Sequence, residues 1–91
     1  MSSFEVHLSE DADKFLEKLD VYIRERIETR LRKLGDNQVP ADAKFVKRDE
    51  RGDKVFRYRI GEFRALCIVE DTQQRVLITK IDKRPRIYDR L

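Results

Sequence analysis

Residues 55–82 read VFRYRIGEFRALCIVEDTQQRVLITKID, and the period of their apolar positions decides the architecture. Over Val55–Ile60 apolar and basic residues alternate, with Phe56, Tyr58 and Ile60 on one side and Arg57 and Arg59 on the other, the period-two pattern of a half-buried strand. Gly61 and Glu62 make a short hairpin connection, and Phe63–Glu70 (FRALCIVE) is a mostly apolar strand of central-sheet character. Asp71–Gln74 turns the chain again, and Arg75–Asp82 (RVLITKID) is a third β-rich run. Two tight hairpins follow, and with them an antiparallel sheet. If Phe56, Tyr58 and Ile60 meet the layer that covers this sheet, Arg57 and Arg59 emerge on its other, open face.

The first half of the chain supplies the cover. Phe4, Val6 and Leu8 alternate with Glu5 and His7, which predicts a strand. Ser9 then has the character of an N-cap, with Glu10 and Asp11 where a helix N-terminus favours negative charge. Apolar residues recur at helical spacing through Ala12, Phe15, Leu16, Leu19, Ile23, Ile27, Leu31 and Leu34. One helix of about 25 residues would be roughly 37 Å long, too long for a domain with a radius of gyration near 12 Å. A turn is therefore expected near Leu19–Val21, with Asp20 capping a second helix. Gly35, Asp36 and Asn37 stop it, and Pro40 keeps it from resuming. Lys44–Lys54 is polar and is expected to hold a loop or a frayed extension of the next strand. The expected order is β-α-α-β-β-β: an α+β fold with a small antiparallel sheet, mixed at its edge, and an N-terminal two-helix hairpin packed on one face.

Composition narrows the function classes. At 91 residues the chain is expected to be a single domain, residues 1–91, so that any function sits on the fold itself. No apolar run is long enough to span a bilayer and MSSFEVHLSED lacks a secretory pattern, so no membrane partner and a cytoplasmic location are expected. The single cysteine, Cys67, excludes an internal disulfide framework, and with one histidine, His7, neither a metal site nor a cofactor is expected. Cys67 sits between Leu66 and Ile68 as a small core residue, and His7 belongs to a strand surface or edge. Glu17, Glu25 and Glu28 are spaced for ion pairs along the helices and make a solvated face.

Charge divides the molecule. Residues 1–43 hold seven Lys or Arg against ten Asp or Glu, whereas residues 44–91 hold fourteen against eight, a net −3 against a net +6. Nine of those fourteen cations are Arg. Arg is the planar, bidentate donor suited to phosphate, which points the second half at an anionic partner, RNA or DNA first.

FRYRIGEFR at Phe56–Arg64, followed by KRPRIY at Lys83–Tyr88, resembles the RelE/ParE toxin superfamily, specifically the RelE-like mRNA interferases. The order of elements is also that family's. The resemblance implies a toxin of a type II toxin-antitoxin system, a ribosome-dependent endoribonuclease that cuts mRNA in the ribosomal A site and inhibits translation. A cognate acidic, RelB-like antitoxin would neutralise it. By position, Arg64, Arg84 and Tyr88 match the family's catalytic residues, and Arg57 falls where other members place a catalytic Lys. A second family Lys falls on Val55, and Lys83 stands where many relatives carry His. Lys54, Arg59, Lys83 and Arg86 complete the expected RNA-binding set.

Metal-free RNA cleavage uses the 2′-OH as nucleophile on the adjacent phosphate, so the site must help remove that proton, stabilise the phosphorane and protonate the leaving 5′-oxygen. DNA lacks the nucleophile. Arg64 and Arg84 would act as electrostatic clamps, because guanidinium does not readily release a proton. Tyr88 would orient the 2′-OH or stack on a base, and Lys54 or Lys83 in a cationic pocket would be candidates for proton exchange. Two other readings stay open: a ParE-like inhibitor of DNA gyrase, and a non-catalytic basic module that binds nucleic acid.

Overall fold

The structure, a computed structural model, describes residues 3–83. Its order is β1 (Glu5–Leu8), α1 (Glu10–Glu17), α2 (Val21–Arg32), a single 3-10 turn (Lys33–Gly35), β2 (Ala43–Arg48), β3 (Lys54–Ile60), β4 (Phe63–Glu70) and β5 (Arg75–Lys83). The five strands form one sheet in the order β1-β5-β4-β3-β2. All neighbours are antiparallel except β1 and β5, which run parallel. This is the expected α+β fold with one additional strand. Residues 43–48, expected within or beside a loop, pair with β3 as the far edge of the sheet.

The helix boundaries have local causes. Ser9 accepts a hydrogen bond from the Ala12 amide at 3.1 Å and donates its hydroxyl to the Thr79 carbonyl at 2.9 Å, so one side chain caps α1 and fastens it to β5. Asp20 caps α2 through the Tyr22 amide at 2.9 Å, which divides the helices where the length argument requires. Gly61, at φ +60°, takes the first position of the two-residue β3–β4 connection, where a type II′ turn places glycine.

Burial follows the two periods. Ala12 and Leu16 of α1 and Ile27 and Leu31 of α2 pack with Leu34 against Tyr58, Ile60, Phe63, Ala65, Cys67, Val76, Ile78 and Ile81 of the sheet. Phe15 meets Phe63 edge-on at 6.0 Å between centroids. Each large aliphatic or aromatic side chain so enclosed contributes about 1.5–3 kcal/mol. The helices occupy one face only, which leaves the opposite face of the sheet without a covering layer among the described residues.

Candidate functional site

Strand register fixes what stands on the open face. Tyr58 and Ile60 belong to the core, so Arg57 and Arg59 project from β3 to the other side. Their partners on β4 are Leu66 and Arg64, and Arg64 is in turn opposite Asp82 on β5. One row across three strands therefore reads Arg59–Arg64–Asp82, and the next row begins with Lys44 of β2 opposite Arg57.

Arg64 is the most buried of these cations. It is 8% exposed, and its Nη1 donates to the carbonyls of Gly61 at 3.0 Å and Phe63 at 2.9 Å. The hairpin that Gly61 allows thus holds the guanidinium in a fixed orientation beside exposed Arg59. A donor held this way needs little reorganisation when negative charge develops against it.

The far end of the same face is closed by an ion cluster. Glu70, 5% exposed, accepts from Arg75 Nε at 2.6 Å and Nη2 at 3.3 Å, and Arg51 Nη1 lies 3.8 Å from it. The Arg75 hydrogen bond holds the Glu70 carboxyl below the ordinary carboxylate range, against the opposing effect of desolvation. Glu70 is therefore a neutralised structural acid. On the helix side Arg30 donates to the Tyr58 hydroxyl at 3.2 Å and to Asp42 at 3.1 Å, and the Tyr58 contact chiefly raises its pKa.

The structure brings Arg57, Arg59 and Arg64 to one face. Lys54 and Lys83 do not join them: their register partners include Val69 and Phe63, on the side that faces the helices, and Lys83 Nζ lies 3.7 Å from Glu62. Arg84, Arg86 and Tyr88 lie outside the described residues. Lys44 and Lys47, which pair with Arg57 and Val55, are open-face cations outside the expected binding set, because the polar run Lys44–Lys54 reads from sequence as a loop or a frayed strand extension. The alternation in Ala43-Lys44-Phe45 was the available signal. Cys67 is buried, and burial pushes its thiol up to about 12. Among the described residues no group of three or more His, Cys, Asp or Glu side chains could hold a metal ion, and no helix is long and apolar enough to cross a membrane.

A two-helix layer on one face of a five-stranded sheet, with arginines gathered on the other, defines a small basic α+β protein of the RelE-like fold. Residues 6–88 match the family described as the ParE toxin of the type II toxin-antitoxin system parDE, and the chain belongs to that family within the RelE/ParE toxin superfamily. Among solved structures it is similar to the archaeal RelE-RelB complex from Pyrococcus horikoshii, at 21% identity and a TM-score of 0.81 over 92% of this chain and 98% of that one. It is also similar to the RelBE2 toxin-antitoxin complex from Mycobacterium tuberculosis, at 25% identity and a TM-score of 0.75 over 92% of this chain and 94% of that one. The intact Escherichia coli RelBE complex matches at 18% identity and a TM-score of 0.61, over 90% of this chain and 98% of that one. No curated protein matches the sequence. The chain is a type II toxin-antitoxin toxin.

Proposed function

We propose that this toxin is a ribosome-dependent endoribonuclease that cleaves mRNA and so inhibits translation. The observation that carries the proposal is the gathering of Arg57, Arg59 and hairpin-anchored Arg64 on the sheet face opposite the helices. In the reaction the 2′-oxygen attacks the adjacent phosphorus, the bond from phosphorus to the 5′-oxygen breaks, and a cyclic phosphate and a free 5′-hydroxyl result. Arg64 stabilises the charge on the phosphorane. Arg57 and Arg59 hold the flanking backbone, and Arg84 and Tyr88 enter by their likeness to the family's positions. A well-oriented substrate supplied by the ribosome offsets the absence of a strong base, since positioning alone can contribute several kcal/mol.

The family description names ParE, which favours a second reading in which the protein inhibits DNA gyrase through protein contacts. Such an inhibitor has no need of the Arg64, Arg84 and Tyr88 set. The test is cleavage of ribosome-bound message, run beside a gyrase supercoiling assay. Cleavage is expected, falling on the order of 100-fold or more for each of Arg64→Ala and Arg84→Ala and lost in Tyr88→Phe. Inhibition of supercoiling without cleavage would transfer the assignment to the gyrase reading. The partner that fits either is an acidic antitoxin, partly disordered alone, laying a helix or strand on the sheet. Solved relatives are described as toxin-antitoxin complexes, in keeping with that.

A further inference from the structure

We infer that Lys44 and Lys47 of β2 extend the arginine site into a lane that holds the phosphate backbone of single-stranded RNA, and that a β-bulge at Val46 creates it. Lys44 and Lys47 are three residues apart, and on a regular strand positions so spaced point to opposite faces. Here the register steps from Phe45↔Phe56 to Lys47↔Val55, so that Val46 is the extra residue. Bulges re-aim the side chains that follow them. The consequence is that Lys44, opposite Arg57, and Lys47, opposite Val55, share the open face with Arg57 and Arg59.

Three further observations favour an anionic strand as occupant. Strands β2 and β3, AKFVKR and KVFRYRI, carry six cations and no carboxylate, and four of the six stand on the open face. Lys44 and Lys47 are exposed, and neither forms an ion pair or side-chain hydrogen bond among the described residues. Lys47 also lines a cleft of about 470 Å³ in which Arg48 and Arg51 stand with Asp49, Glu50 and Glu70 around Ile68 and Leu77, apolar surface on which a base can rest. From the Arg59 row to the Lys47 row is four residues of β3, about 13 Å, so the lane reaches beyond the nucleotides at the reacting phosphate. Its chemistry is that of an RNA backbone, supplied by message or by ribosomal RNA.

This inference rests on the ribonuclease reading for its ligand but is tested without cleavage. Binding of a short single-stranded 2′-O-methyl RNA, and separately of message-free ribosomes, is measured against salt concentration for the wild type and two double variants. Releasing two phosphates changes the slope of log K against log salt by about 1.4. Lys44→Ala/Lys47→Ala is expected to lose that much slope in at least one arm. Lys18→Ala/Arg26→Ala removes equal charge from the helices and is expected to keep the wild-type slope. An effect with the free RNA identifies the backbone of message, and an effect confined to ribosomes identifies ribosomal RNA. Equal slopes for the two double variants in both arms, or no binding by the wild type in either, overturns the lane. A wild type that binds with the expected slopes yet cuts nothing refutes the ribonuclease reading and leaves the lane standing.

Discussion

Arg59 and Arg64 stand directly opposite each other across the β3–β4 hairpin, two cations paired on one face of the sheet. Like charges so placed cost stability, and a sequence selected for stability alone would put an acid or a neutral partner at one of the two positions. Asp82 is the register partner of Arg64 on its other side, in β5. Arg64 is anchored to two carbonyls, whereas Arg59 is exposed, and under the proposed function Arg59 is the member that meets the RNA.

Arg59→Gln is therefore expected to stabilise the fold while weakening function. Relief of a cross-strand like-charge pair is worth about 0.2–1 kcal/mol, read as a higher urea midpoint at low salt that converges with the wild type as salt screens the pair. Cleavage of ribosome-bound message falls in the same protein. A variant that loses stability would show that Arg59 is structural.

Gly35→Ala tests how β1 is held. The Phe4 amide donates to the Gly35 carbonyl at 2.8 Å, and a Cβ at residue 35 would stand 2.8 Å from the Phe4 carbonyl oxygen, a backbone atom with little room to yield. The expected loss is about 1–3 kcal/mol, and since 1 kcal/mol shifts the melting temperature of a domain this size by about 4–8 °C, the change is easily measured. An unchanged melting temperature would mean that β1 moves freely relative to the 3-10 turn.

The elements legible from sequence are those whose signals are local. Ser9 and Asp20 announce their helices because capping uses a side chain within three residues of its partner, and Gly61 marks its hairpin because the turn demands positive φ. Strand β2 was not legible as a strand. Its bulge sets apolar Phe45 and Val46 side by side and breaks the two-residue period, and as an edge strand it leaves Phe45 57% exposed. The mixed edge is part of the expected fold, but the register of β1 on β5 joins residues about 70 positions apart, which no local signal specifies. For the site, the common face of Arg57 and Arg59 follows from strand parity, whereas Arg64 enters through the family resemblance. Lys54 belongs to the expected binding set by its charge, yet the same parity places it with Phe56 and Tyr58 on the other face.

Glu70 makes stability depend on pH in a definite direction. Its carboxyl titrates near 4.3 in the unfolded chain, and hydrogen bonding to Arg75 holds it lower in the folded protein. The stabilisation is therefore complete above about pH 4.3 and lost as pH falls through the folded value. Glu70→Gln is expected to cost about 1 kcal/mol at neutral pH, a figure reduced because Arg75 and Arg51 remain open to water. The gap between wild type and variant should narrow in urea titrations below about pH 4. Parallel curves throughout would mean that Glu70 titrates alike in both states.

Cys67 provides a probe of opening that leaves the site untouched. It lies in the middle of β4, opposite Phe56 and Ile78, and is 2% exposed. Burial without a nearby cation pushes its thiol up to about 12, so at pH 8 only about one molecule in ten thousand carries the reactive thiolate. Two independent barriers thus oppose alkylation of the folded protein: reagent cannot reach the sulfur, and the sulfur is protonated. Iodoacetamide is expected to label native protein only as fast as the core opens, and to label it at once in denaturant. Gly35→Ala, which weakens the fold without touching β4, should raise the native labelling rate in proportion to its loss of stability, while Arg59→Gln should lower it. Rapid labelling of the wild type under native conditions would mean that the β3–β4–β5 core separates without global unfolding, and the rigid seating of Arg64 on its hairpin would fall with it.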